Sequence, residues 1–244
     1  MPMNEMIQFF RQLSGKINSN LYAGLPWSSS PQHHAFLRWL QKELKQTNTL
    51  QIPLHELPVV VFDIETTGFY PEKGDQMISI GAVKMIGAEM KAEETFYTLV
   101  KSDLPLSKEI SELTSIQEME LRHAPNPADV LVDFFKFIKS NILVAHHSNH
   151  ELNFMRKMTR DYLRCSFDHR IVDTSFLLRL EDPSVNPRPL EEICQNCGIE
   201  IKNRHHALGD ALMTAKIWSH YLNAAETKGF KNLQEIYEYL SKLK

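Results

Sequence analysis

Val59-Val60-Val61-Phe62-Asp63-Ile64-Glu65-Thr66-Thr67-Gly68 is the stretch on which the fold turns. The run of β-branched and aromatic residues after Pro58, closed by Thr-Thr-Gly turn chemistry, predicts a short buried strand. Side chains alternate faces along a strand, so Asp63 and Glu65 emerge on one side and Ile64 on the other. Two acids so close raise each other's proton affinity and cost free energy unless a cation neutralises them. Hard divalent ions such as Mg²⁺ or Mn²⁺ favour such oxygen ligands. Two solvated carboxylates at a strand end are the plain alternative, and the rest of the chain has to decide between the two.

Moving C-terminally, Phe69 to Gln76 is a Pro/Gly-containing loop, Met77 to Met85 alternates with period two as a second strand, and Thr95 to Val100 reads as a third. Two hairpin-like connections in a row predict an antiparallel meander. The pattern then changes. Pro105 to Leu121 and Ala128 to Lys139 are helical, Ile142 to Ala145 is a short buried strand, and Glu151 to Leu163 is helical. Arg170 to Asp173 is a last strand, Leu190 to Ile199 a helix ending at Gly198, and Leu208 to Ala225 a long helix. A meander followed by strands alternating with helices predicts an α/β fold, a mixed sheet of antiparallel and parallel strands flanked by helices.

Moving N-terminally, residues 1–57 predict a helical extension. Met6, Ile7, Phe9, Phe10 and Leu13 share one amphipathic face, Gly15 to Pro31 is turn-rich, and Phe36, Leu37, Leu40 and Leu44 repeat the helical pattern. Trp27 and Trp39 are read as packing onto the main domain, residues 58–225. Residues 226–244 read as a helical tail.

The 244 residues suit one well-cored domain with additions, and 43% hydrophobic with 23% charged residues excludes a disordered or low-complexity chain. A net charge of −3 gives no global basic signature, so nucleic-acid affinity has to come from a local patch. Residues 1–13 lack signal-peptide features, and no apolar run approaches the ~20 residues that span a bilayer; the expectation is a cytoplasmic protein with no membrane contact. Three cysteines, Cys165, Cys194 and Cys197, make no disulfide framework. The single Cys194-Gln-Asn-Cys197 is weak evidence for zinc or redox chemistry, and buried or idle thiols are the plain reading.

Two further stretches collect polar groups. His146-His147-Ser148-Asn149-His150-Glu151 ends a strand and opens a helix, where open α/β sheets place ligands. Three histidines within five residues match no zinc spacing, and capping or core roles fit them equally, so Glu151 is the informative residue. His205-His206-Ala207-Leu208-Gly209-Asp210 opens the long helix, with Asp210 about one turn inside it and His205 just before it. A cap and a solvated acid are the plain reading. Joined to Asp63 and Glu65, these groups supply carboxylates for two metal ions and a base with a pKa near neutrality, the needs of metal-assisted phosphodiester hydrolysis.

Val61 to Gly68, Val144 to Glu151, and His205-x-Ala-Leu-x-Asp210-Ala211 resemble, in order, the three motifs of the DEDDh (DnaQ-like) 3'-5' exonucleases, and Ile171-Val172-Asp173-Thr174 matches a run often seen between the second and third. The resemblance covers about Pro58 to Ala225. It implies an RNase H-like fold and a two-metal mechanism (Mg²⁺ or Mn²⁺) that removes nucleoside monophosphates from single-stranded nucleic acid 3' ends. Carried over by position, Asp63, Glu65, Glu151 and Asp210 hold the metals and His205 is the general base. Thr66, Thr67 and Gly68 lie where the terminal nucleotide packs. The second motif departs from the family: His147 takes an Asn position, His150 a Phe position and Glu151 an Asp position, one methylene longer. A basic helix face, Arg156, Arg160 and Arg164 with Lys157 beside them, is a candidate phosphate contact; a solvated face partly paired with Asp161 is the alternative. A nucleic-acid-binding or scaffold module without turnover, and a phosphodiesterase of small nucleotides, are the rival readings. Oligomeric state, and DNA against RNA, are not legible.

Overall fold

The computed structural model describes residues 31–46, 48–183 and 188–243; the expected helix from Met6 to Leu13 and the turn-rich stretch up to residue 30, with Trp27, lie outside them. Among the described residues the order is α1 (Pro31–Gln46), β1 (Pro58–Thr66), β2 (Met77–Ile86), β3 (Glu89–Leu99), α2 (Lys108–Thr114), α3 (Glu118–His123), α4 (Pro127–Ile138), β4 (Ile142–Ala145) and α5 (Asn149–Met158). There follow β5 (Ile171–Asp173), α6 (Ser175–Leu178), α7 (Leu190–Asn196), α8 (Ala207–Thr227) and α9 (Leu233–Lys242).

Five strands make one sheet in the order β3-β2-β1-β4-β5. β1 pairs antiparallel with β2 and β2 with β3, while β1 and β4, and β4 and β5, run parallel. This is the expected mixed sheet, with β1 at its centre. Both of its faces are covered. Val60, Phe62 and Ile64 pack with Leu131, Phe134 and Phe135 of α4 and Phe154 of α5, and Leu37 and Leu40 of α1 join the same cluster. Trp39 packs against it, as expected from the sequence. Val59 and Val61 on the opposite face meet Trp218 and Leu222 of α8 and Leu233 and Ile236 of α9. Each fully buried side chain of this kind stabilises by roughly 1.5–3 kcal/mol, so a nine-residue strand buried on both faces is a rigid place to mount a site.

The largest departures from the expected boundaries each have a local reason. β3 starts at Glu89, six residues before Thr95, because its first half is polar and lies on an exposed sheet edge. Pro105 to Leu121 is two short helices. Ser115 adopts a left-handed φ of 61° that ends α2, and a reciprocal Gln117–Glu120 capping box starts α3. α5 ends at Met158 and continues as one π-helical turn, Thr159–Leu163, where the Thr159 hydroxyl bonds back to the Met155 carbonyl at 2.8 Å. No described helix is long and apolar enough to cross a membrane. Cys194 is fully buried against α8 and Cys197 lies 3.8 Å from the Tyr221 hydroxyl, with burial raising both thiols, which fits idle cysteines.

Candidate active site

Asp63 and Glu65 share the face of β1 that α8 covers, as the alternation requires. Asp63 stands opposite Gly81 on β2, and Glu65 opposite Ser79. Gly81 is what lets α8 come close: a Cβ there would lie 2.2 Å from the Leu208 nitrogen and 2.4 Å from the Ala207 carbonyl carbon. Lying on the sheet at that point, the first turn of α8 delivers Asp210 to the two strand acids. One carboxylate oxygen from each of Asp63, Glu65 and Asp210 falls within 4.8 Å of the others.

The residues before α8 separate the two adjacent histidines. His206 is the N-cap, its Nδ1 accepting from the Gly209 amide at 3.4 Å, and its ring stacks on Tyr97 with centroids 4.3 Å apart. His205 has a left-handed φ of 62°, a conformation non-glycine residues keep only where the surroundings hold it, and its backbone amide donates to Asp210 at 3.2 Å. His205 is therefore tied to the carboxylate cluster through its backbone, with its ring beside Arg204, whereas His206 caps the helix.

Glu151 sits in the first turn of α5, at the end of β4, and is 3% exposed. It is outside the close trio, yet near enough to Asp63 to raise its proton affinity. The electrostatics follow from crowding acids in a desolvated place. Burial above all, then Glu151, Asp210 and Glu65, push Asp63 well above the ordinary carboxylate value. Burial, then Asp210, raises Glu65 to about 7; burial, then Asp173 and Glu65, raises Glu151 to about 8; burial raises Asp210 to about 6 against the pull of Arg204. Asp210 Oδ1 and Glu151 Oε2 are buried with no hydrogen-bond partner. Orphaned anionic oxygens on crowded carboxylates suit hard divalent cations, so these residues fit the metal that the sequence implies.

The other histidines of the second motif pack around this centre. His146 is held between the Thr174 hydroxyl at 2.8 Å and the Arg188 carbonyl at 2.9 Å, and burial lowers it to about 4. His147 takes a φ of 58° and tilts against His146. His150 lies 3.4 Å from the Thr66 hydroxyl and between the rings of Phe69 and Phe154. The loop after β1 is tied down by its own polar groups. The Thr66 hydroxyl donates to the Gly68 carbonyl, Thr67 Oγ1 accepts from the Gln76 amide, and Asp75 lies so near Gly68 that a Cβ would be 2.5 Å from its carboxylate. Phe69, next along, is 78% exposed.

On the basic helix face, Arg156 is exposed, whereas Arg160 makes two hydrogen bonds to Glu72 at 2.9 and 3.1 Å and Lys157 pairs with Asp161. Two groups at the site were not singled out from sequence. Asp173 accepts from the Ser148 and Ser175 amides and so pins the β4–α5 junction; although burial opposes it, these bonds hold its pKa below the ordinary value. Arg204 donates from Nη1 to Asp210 Oδ2 and from Nε to Glu191 Oε1 at 2.6 Å. Asp173 stood in a recognised run, but no spacing distinguishes Arg204.

A family model described as Exonuclease matches residues 60–218. The DNA polymerase III subunit epsilon of Aquifex aeolicus is 35% identical over 159 residues, 65% of this chain and 77% of that protein. The 3'-5' exonuclease DinG of Staphylococcus saprophyticus is 32% identical over 75% of this chain and 20% of its own length. The chain spans only 11% to 26% of several other curated relatives. Among solved structures, E. coli Exonuclease I in complex with a dT13 oligonucleotide aligns with a TM-score of 0.57 at 17% identity, over 75% of this chain and 43% of that one.

Proposed function

We propose, from the premise that the chain belongs to the exonuclease family, that it is a metal-dependent 3'-5' exonuclease hydrolysing phosphodiester bonds from the 3' end of single-stranded DNA or RNA. The observation that carries this reading is the meeting of Asp63, Glu65 and Asp210 within 4.8 Å, with His205 bonded through its backbone to one of them. Asp63, Glu65, Glu151 and Asp210 would hold two Mg²⁺ or Mn²⁺ ions. Bound there, the ions supply Lewis-acid polarisation of the phosphate and a more acidic water.

The remaining chemistry belongs to the chain. Burial first, and the Arg204 guanidinium second, hold His205 below the ordinary imidazole value. Its ring is thus neutral at physiological pH and is the acceptor for the proton of the attacking water. The tied loop of Thr66, Thr67 and Gly68 receives the terminal nucleotide, with the exposed Phe69 ring beside it as a surface for the base. Arg156 and Arg160 are the candidate phosphate contacts further along the strand, and Arg160 must leave Glu72 to serve. Support for a single-stranded substrate comes from the likeness in fold to Exonuclease I, which is seen with dT13.

The test is digestion of 5'-labelled single-stranded DNA and RNA with Mg²⁺, with Mn²⁺ and in EDTA. The reading expects a ladder shortening from the 3' end that needs the divalent ion. Uncut strands with both metals, or cutting that persists in EDTA, would overturn it.

A further inference from the structure

Beyond its field at His205, Arg204 has no part in the proposed reaction. A guanidinium reaches into the carboxylate cluster, directly before the general base. It donates to Asp210 Oδ2 from one nitrogen and to Glu191 Oε1 from another, and the same Nη1 lies 3.3 Å from His205 Nδ1. Asp210 is 3% exposed in its side chain, and Arg204 28%. Asp210 therefore has one oxygen engaged by Arg204 and the His205 amide, and the other buried without a partner.

We infer that Arg204, parked on Glu191, is a resident counter-cation for Asp210 that divalent ions must displace, so that the Glu191–Arg204 pair sets how tightly the site takes metal. This inference rests on the reading that the carboxylates hold metal. The physical argument is competition. A guanidinium hydrogen-bonded to a carboxylate makes a strong, charge-assisted contact. A dication arriving at the same carboxylate loses that oxygen to the arginine and is repelled by its charge.

The two ends of the bridge differ in mobility. Glu191 belongs to α7, which is fixed on α8 through Ile193 and Cys194 packed with Met213 and Ile217. Arg204 hangs from a turn whose backbone is already constrained, with Asn203 at φ 50° and His205 at φ 62°. Its long side chain is the part that can swing. On leaving Asp210 it keeps Glu191, so release does not strand a bare guanidinium. The competing possibility is a strut, in which Arg204 holds Asp210 in its working orientation and thereby helps metal to bind.

Calorimetric titration with Mn²⁺ alone, at fixed ionic strength, on the wild type, Arg204→Gln, Glu191→Gln and the double variant separates these. Arg204→Gln should bind Mn²⁺ about tenfold more tightly, equivalent to about 1.4 kcal/mol. Glu191→Gln leaves Arg204 with Asp210 as its acid partner and should bind more weakly. In the double variant the effect of Glu191 should vanish, because it acts through Arg204. Melting in EDTA should drop for Arg204→Gln, with the gap closing in saturating Mn²⁺. Weaker binding by Arg204→Gln would establish the strut, unchanged binding would leave Arg204 no part in metal uptake, and a Glu191 effect that persists without Arg204 would reduce the pair to a general field; each overturns the inference. If Arg204→Gln fails to fold, Glu191→Gln carries the test, and unchanged or tighter binding there overturns it. A wild type that takes up no Mn²⁺ would instead overturn the metal-dependent reading itself.

Discussion

Gly81→Ala should disable the site without touching any residue that does chemistry. The added Cβ would sit 2.2 Å from the Leu208 nitrogen, 2.4 Å from the Ala207 carbonyl carbon and 2.5 Å from the Leu208 Cα, all backbone atoms that cannot rotate away. Ordinary contact begins near 3.4 Å, so the first turn of α8 has to retreat by about 1.2 Å or β2 has to give. Asp210, two residues further on, moves with that turn, while Asp63, paired opposite Gly81, stays with the sheet. Overpacking of this kind costs about 1–3 kcal/mol of stability. A misplacement of ~1 Å between catalytic groups costs about 10²-fold in rate. Thermal melting, followed by single-turnover digestion well below the measured melting temperature, reads both effects on one preparation. A folded Gly81→Ala protein with the wild-type rate and Mn²⁺ affinity would refute the claim that this close approach assembles the trio.

Three other outcomes follow from the same geometry. His205→Ala should lower the rate by roughly 10²- to 10⁴-fold, while His206→Ala, which loses a cap and a stacking partner of Tyr97, should act mainly on stability; steady-state rates and melts with the order reversed would show that the base is misassigned. Glu151→Gln should weaken Mn²⁺ binding or turnover sharply, and Glu151→Asp should lose activity if the site is built around the longer side chain; rates untouched by either would remove Glu151 from the site. The metal-free protein should lose stability with rising pH. Glu65 and Glu151 have folded values of about 7 and about 8, above the unfolded ~4.3, so their contribution is present below about pH 4 and lost as pH rises through 7 and 8. Melting temperatures in EDTA should therefore fall from about pH 4.5 to about pH 8, level off above it, and be restored by Mn²⁺. A flat profile would contradict the buried-carboxylate account.

Legibility tracked how local the determining physics was. β1 was readable because one strand carries both the unbroken apolar run and the D-x-E pair, and alternation alone put both acids on one face. The long helix and the short parallel strands were readable from periodicity. The first half of β3 was not, since Glu89 to Glu94 carries four charged residues and only Met90 and Ala92 as apolar ones, and is a strand because β2 offers an edge. The split of residues 105–121 turned on one left-handed serine, a conformation that residue identity does not announce. At the site, the motif residues were legible as residues, but their meeting depends on Gly81, whose reason for being glycine lies in a helix more than a hundred residues away. Arg204 was invisible for the same reason: its partners Glu191 and Asp210 are set by the packing of α7 and α8.

The central claim is that four carboxylates from three separate segments form one two-metal centre. A crystal of the protein grown with Mn²⁺ and a nucleoside 5'-monophosphate, measured at the manganese absorption edge, tests it most directly. The account predicts two anomalous peaks among Asp63, Glu65, Glu151 and Asp210, with Arg204 withdrawn from Asp210. Peaks elsewhere, or none at these carboxylates under saturating Mn²⁺, would contradict it.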